Sequence, residues 1–196
     1  MKSTCKWNDP EQQNMLWKTK KFDYQFNTIV SVKFSMIRYL IQKIFQNQKI
    51  SILDIGGGDG QLFFECISLN ISQYHYIDIS EEASNKFKSN LKIIPNNVYI
   101  SQCNINKTNF DKKVEVICIA GFAANLYDEK IIQKLFNENL TSNGALIIEH
   151  TNFMFNWTIL ESILPKPFYK VNFDLFQEEL TKETYIPHRS IGVYIK

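Results

Sequence analysis

Two carboxylates, a cluster of glycines and a histidine stand at the ends of apolar runs in this chain. That is where an open α/β sheet meets its ligands. Asp54 closes the run Ile50-Ser-Ile-Leu-Asp-Ile55 and is followed by Gly56, Gly57, Gly58, Asp59 and Gly60. Glycines let a ligand lie against bare backbone, where a side chain would collide. Asp78 closes Gln73-Tyr-His-Tyr-Ile-Asp-Ile79. An acid at the end of a second strand, roughly 20 residues past such glycines, accepts from both hydroxyls of a ribose. The spacing is not the dinucleotide one: G-x-G-x-x-G would put its third glycine at Gln61, and the chain has it at Gly60. His150 ends another apolar run. Histidine titrates near neutrality and can take a proton from a hydroxyl or an ammonium. Asn125 and Tyr127 follow a further apolar run, placed to orient a bound molecule by hydrogen bonds.

The elements that position these groups read as alternating strands and helices. Residues 1–27 form a polar arm with interleaved aromatics, Trp7, Trp17, Phe22, Tyr24 and Phe26, and a helix start at Pro10. From Thr28 to Gln48, Ile29, Val32, Met36, Ile37, Leu40, Ile41 and Ile44 recur at three- and four-residue steps. Lys33, Arg38, Gln42 and Lys43 take the other side, so the helix is read as scaffold lying on the sheet. Ile50–Ile55 is the first buried strand, and Leu62–Leu69 its helix. Gln73–Ile79 is the second strand, with His75 inside it as a structural residue. Ser80-Glu81-Glu82 caps a helix running to about Leu91. Asn97–Ile105 gives the third strand and its exit, Val114–Ala120 the fourth. A helix carrying Ile131, Ile132, Leu135 and Phe136 leads through Leu140-Thr-Ser-Asn-Gly144 into a fifth strand, Ala145–His150. A helix over Thr151–Leu164 ends at Pro165 and Pro167. Tyr169–Glu178 and Thr184–Ile195 pair as antiparallel strands six and seven.

Composition narrows the class. The chain has 196 residues, one domain's worth. A formal net charge of +2 gives no reason to expect nucleic acid or an anionic membrane as partner. No apolar run is long enough to span a bilayer. The N-terminus lacks a signal-peptide core. Cys5, Cys66, Cys103 and Cys118 form no C-x-x-C pair. The last three sit in apolar elements and read as small buried hydrophobes in a reducing, cytoplasmic compartment, with no metal site expected.

The run Asp54-x-Gly56-x-Gly58-x-Gly60 resembles motif I, D/E-x-G-x-G-x-G, of the class I S-adenosylmethionine (SAM)-dependent methyltransferases. The resemblance covers residues 28–196. It implies a three-layer Rossmann-like sandwich with a seven-stranded, mostly parallel sheet and an antiparallel terminal strand. It implies SAM lying across Asp54, Gly56, Gly57, Gly58 and Gly60, its ribose on Asp78 beside Ile79, its adenine at Asn104 and Ile105, and Ala120 at the exit of strand four. The family usually has an acid where this chain has Asn104, whose amide oxygen still accepts a bond, more weakly than a charged group. The resemblance also implies that the arm of residues 1–27 caps cofactor and substrate.

The cofactor supplies the electrophile, so the protein positions the acceptor and, where needed, removes a proton. His150 is the candidate base, Asn125 and Tyr127 are candidates to orient the acceptor by hydrogen bonds, and Phe122, Tyr127, Phe153 and Trp157 are candidate walls of the acceptor pocket. The D/N-P-P-Y/F run of amino methyltransferases acting on nucleic-acid bases is absent; Ala120-Gly-Phe-Ala123 stands there. The paired glutamates of protein arginine methyltransferases are absent too. What remains is transfer of a methyl group to O, N or S of a small molecule. Two alternatives stay open. One is a polyamine-synthase-like aminopropyltransferase, which would need an acid where the apolar Ala120–Ala124 lies. The other is an inactive methyltransferase-like subunit that stabilises a partner.

Overall fold

A single seven-stranded sheet in the order β3-β2-β1-β4-β5-β7-β6 organises the computed structural model. The structure describes residues 9–19, 28–107, 109–120, 129–151, 157–173 and 189–196, the side chains of 28–31 and 151 excepted. The strands are β1 (Ile50–Ile55), β2 (Ile71–Asp78), β3 (Val98–Gln102), β4 (Val114–Ala120), β5 (Leu140–Thr151), β6 (Tyr169–Phe173) and β7 (Arg189–Ile195). β1 pairs parallel with β2 and β4, β2 with β3, and β4 with β5. β7 runs antiparallel between β5 and β6. The order reverses beside β1, which opens a crevice at the carboxyl ends of β1 and β4.

Alternation along the strands splits the core in two. Ile52, Tyr74, Tyr76, Val116, Cys118, Ile147, Ile191 and Val193 face α2 (Thr28–Phe45), α3 (Gln61–Cys66) and α4 (Glu81–Leu91), meeting Ile37, Ile41, Leu62, Phe63 and Phe87. Leu53, Ile55, Ile117, Ile119, Leu146 and Ile148 face the other layer. That layer is α5 (Glu129–Lys134), a π-helical turn over Leu135–Asn139, and α6 (Trp157–Ile163). Asn139 Nδ2 donates to the carbonyls of Phe110 (2.6 Å) and Lys112 (3.1 Å), tying the π turn to the approach to β4. Ser80 caps α4, its hydroxyl accepting from Ala83 N at 3.2 Å. α1 (Pro10–Lys18), capped by Asp9, packs on α4.

Several expectations shift. β5 begins at Leu140, not Ala145. The Asn143-Gly144 turn does form, with Asn143 at φ 67°, but Lys196 pairs with both residues and draws the stretch into the sheet. α2 stops at Phe45. Its polar side is misassigned at one position: Lys33 is 8 % exposed, whereas Val32, expected in the core, is 44 % exposed. Cys66 and Cys118 are buried, but Cys103, at the exit of β3, is only half-buried.

Candidate active site

The glycine turn is held from beneath by two tyrosines and two aspartates. Gly56 N donates to the Ile77 carbonyl at 2.7 Å and Gly60 N to Gly57 O at 3.0 Å, folding the turn over the end of β2. Asp78 Oδ2 accepts from Gly58 N (3.0 Å) and Oδ1 from Ser80 N (2.8 Å). One carboxylate therefore joins the two stretches that the sequence singled out. Tyr76 donates its hydroxyl to Gly58 O at 2.7 Å, and Tyr74 its own to Asp54 Oδ2 at 2.6 Å. A Cβ at Gly57 would stand 2.4 Å from the Tyr76 ring, and one at Gly60 2.0 Å from Phe87. Gly60 also has φ +86°, a region that side chains strain to reach.

Burial sets the charges here. It pushes the Asp54 carboxyl up to about 7; the Tyr74 hydrogen bond opposes the shift and the Asp78 charge adds to it. Burial pushes Asp78 up to about 6 against the opposing amides of Ser80 and Gly58. Two carboxyls poised near neutrality suit a cationic ligand, whose charge would hold both ionised.

Of the other expected cofactor residues, Ile79 follows Asp78 half-buried, and Ile105 is buried beyond β3. Asn104 Oδ1 accepts from Asn106 N at 2.9 Å. Ala120 ends β4 beside Glu149. His150 is 4 % exposed near the end of β5, opposite Ser190 of β7. Asn125, Tyr127, Phe122 and Phe153 lie outside the described residues. Trp157 packs in the core of the α5–α6 layer, and its ring lies 3.0 Å from where a Gly192 Cβ would stand, in the middle of β7. It is partly buried against that layer's core, beside the middle of β7, and not a wall at the strand ends. His75, stacked on Tyr99 at 4.9 Å, is pulled down to about 4, first by burial and then by Lys112; it is neutral and structural.

Four groups take places that the sequence reading did not specify. Trp17 of α1 lies 3.2 Å from where a Gly58 Cβ would stand. Lys33, Glu149 and Arg189 form a buried ion cluster on the α2 side of β5. For Lys33 the signal was there, since it stands four residues before Ile37 and eight before Ile41, on their stripe.

A methyltransferase-domain family matches residues 46–185 by sequence. The chain belongs to that family. It is a SAM-dependent methyltransferase, and SAM is its cofactor. No curated protein matches the chain. Among solved structures, it resembles the N-methyltransferase NodS from Bradyrhizobium japonicum WM9 bound to S-adenosyl-L-homocysteine (SAH). The TM-score is 0.70 at 12 % identity, over 95 % of this chain and 98 % of that one. It also resembles the plantazolicin methyltransferase BpumL bound to SAH, with a TM-score of 0.63 at 15 % identity over 96 % and 92 %. A putative RNA methyltransferase from Pyrococcus horikoshii gives 0.63 at 12 % identity over 84 % and 83 %. At such identities the likeness is one of fold.

In the methyltransferase, the turn's own atoms fit this cofactor. Bare backbone at Gly56 and Gly58 would let the ligand approach, Asp78 has lone pairs beyond those used by Gly58 N and Ser80 N that could take ribose hydroxyls, and ionised Asp54 and Asp78 would offset the ligand's positive charges. SAM supplies a methyl group on a sulfonium; the chain binds, orients and shields it. Among the described residues no helix is long and apolar enough to cross a membrane.

Proposed function

We propose that the protein transfers the SAM methyl group to an O, N or S atom of a small molecule, beneath a cap formed by its N-terminal arm. The observation that carries this is the seat of α1. Asn14 Oδ1 accepts from Ser80 Oγ (2.8 Å) and Glu82 N (3.3 Å), immediately beyond the ribose acid Asp78. Lys18 pairs with Glu82 at 3.2 Å, and Lys86 lies 5.8 Å from the Trp17 ring centroid. These contacts hold Trp17 against the glycine turn. A crevice roofed on the cofactor side admits a small acceptor more readily than a folded macromolecule.

The charge supports the same choice: +2 over 196 residues gives no basic footprint for a phosphate backbone. The free cysteines Cys66, Cys103 and Cys118 suit a reducing, cytoplasmic compartment. His150 stands as the candidate base, with Asn125 and Tyr127 as orienting groups.

The test is transfer of label from methyl-tritiated SAM to small-molecule, RNA and protein fractions of a cell extract. Asp78→Ala protein serves as the control. Label in the small-molecule fraction, lost in the variant, is expected; label in RNA or protein alone would overturn the acceptor class.

A further inference from the structure

Asp54 shares its face of the sheet with a buried ammonium. Asp54 on β1 and Glu149 on β5 each stand two positions after a residue that meets α2, Ile52 and Ile147, so both side chains point to the α2 side. On β4, which runs between them, Asp54 stands opposite Cys118 and Glu149 opposite Ala120. Both are small residues that leave room for a side chain from α2. Lys33 comes from that helix, about one turn before Ile37 on the same stripe. It is buried, with Nζ 3.5 Å from Glu149 Oε2 and 4.7 Å from the Phe34 ring centroid. Its hold on Glu149 is loose. A separation of 3.5 Å is long for an ammonium–carboxylate bond, and Oε2 accepts no hydrogen bond among the described residues. Glu149 gives its other oxygen to Arg189. Two cations and Glu149 are therefore balanced by a second carboxylate, and Asp54 is the one that faces them. Burying charges is tolerable when they are paired in this way. Asp54 in turn lies under the glycine turn, where a Cβ at Gly57 would stand 2.8 Å from its Oδ2. The other groups around it are Tyr74 and Asp78 of β2, Cys66 of α3 and Cys118 of β4. Burial keeps Tyr74, Cys66 and Cys118 protonated, so the cation facing Asp54 is Lys33, which opposes the upward push of burial on its carboxyl. Burial and Arg189 pull the Lys33 ammonium down, and Glu149 pulls it back up.

We infer that Lys33 is a positioning residue for the cofactor: shared between Glu149 and Asp54 across β4, its ammonium keeps Asp54 a carboxylate beneath the glycine turn, ready for a cationic ligand. Lys33 touches no ligand itself. It acts through Asp54, and Glu149 and the Phe34 ring fix where it stands. The inference rests on the methyltransferase reading and deepens it, because it says how a buried acid that would otherwise take up a proton stays charged for SAM.

The test is the pH profile of SAM binding to the full chain, by calorimetry from pH 6 to 9. A ligand that needs the Asp54 carboxylate binds the wild type more tightly as the pH rises through about 7. Lys33→Met suits the apolar stripe of α2, leaves the Glu149–Arg189 pair in place, and moves that rise to higher pH. A move of about one pH unit weakens SAM about fivefold at pH 7 and leaves it nearly unchanged at pH 9. Lys33→Gln gives the same shift should the methionine variant fold poorly, and Lys33→Arg, which keeps the charge, keeps the wild-type profile. The amino group of SAM titrates alike against every variant, so differences between profiles belong to the protein. On an Asp54→Asn background, Lys33→Met changes the affinity by less than about twofold at any pH, since the group it acts through is gone. Loss by the same factor at every pH, an unshifted rise, or the full loss on the Asp54→Asn background overturns the inference; a lysine that only supports the fold would give these. A wild-type affinity that is flat from pH 6 to 9 overturns it as well. Wild-type protein that binds SAM at no pH refutes the methyltransferase reading itself.

Discussion

Replacing Asp54 by asparagine should flatten the pH dependence of stability. Asp54 is 2 % exposed, and its carboxyl titrates at about 7 against 3.8 for a free side chain. The cause is burial, only partly offset by the Tyr74 hydroxyl at 2.6 Å. Because the folded value lies above the unfolded one, the native state is favoured while the group is protonated. That contribution is complete below about pH 4 and is lost as the pH rises through about 7. The gap corresponds to roughly 4 kcal/mol of lost stability at pH 8. An asparagine side chain in its place carries no charge, has nearly the same volume, and its Oδ1 accepts the same Tyr74 bond. Its amide group needs a new partner, at a cost of about 1–3 kcal/mol. Asp54→Asn should therefore match or fall below the wild type at pH 5 and overtake it at pH 8, by about 1–3 kcal/mol. Urea unfolding at pH 5, 6, 7 and 8 measures this directly. Parallel profiles for the two proteins across that range would refute the reasoning, because they would mean that Asp54 ionises in the fold as freely as outside it. Asp78, at about 6, contributes its own loss at lower pH in both proteins.

Gly60→Ala puts a Cβ 2.0 Å from the Phe87 ring at φ +86°, and should cost about 2 kcal/mol or more in urea unfolding. Asp78→Ala removes the ribose acceptor and the clasp on Gly58 N, and SAH binding by calorimetry should weaken by about 1–3 kcal/mol. Unchanged affinity in the folded variant would count against that assignment. Ser80→Ala loses the cap on α4 and should lower stability by about 1 kcal/mol. Once an acceptor is found, His150→Gln should lose an ionisation near neutrality from the pH–rate profile while SAH binding stays the same; unchanged turnover would leave His150 structural.

The sheet and the glycine turn were legible because both depend on local pattern. β1 and β4 are buried on both faces and read as continuous apolar runs, so their ends, and with them Asp54 and Ala120, fell where expected. The clasp between Asp78 and Gly58 was half-legible: spacing set the two stretches side by side, while the hydrogen bond between them depends on how the turn folds back. Lys33 was missed for another reason. A charge in an amphipathic helix defaults to the solvent face, and what overrides the default is Glu149, on a strand far along the chain. No local window contains both. Trp157 failed similarly, because Gly192 makes the hollow its ring fills, and only the pairing of β5 with β7 brings Gly192 there.

The place of β7 between β5 and β6 has a consequence for how the chain is made. The sixth strand leaves the ribosome before the seventh, yet touches the sheet only through it. At 5–20 residues per second, the stretch from Phe173 to Ile195 takes about 1–4 s to synthesise. Throughout that interval β5 keeps a bare edge along Ala145–Ile148, four apolar residues with their amides and carbonyls unpaired on that side. Such an edge is a template for any other strand that meets it. The nascent protein is thus vulnerable to aggregation in the interval between the synthesis of β5 and that of β7, and a chaperone that shields this edge would act at that stage.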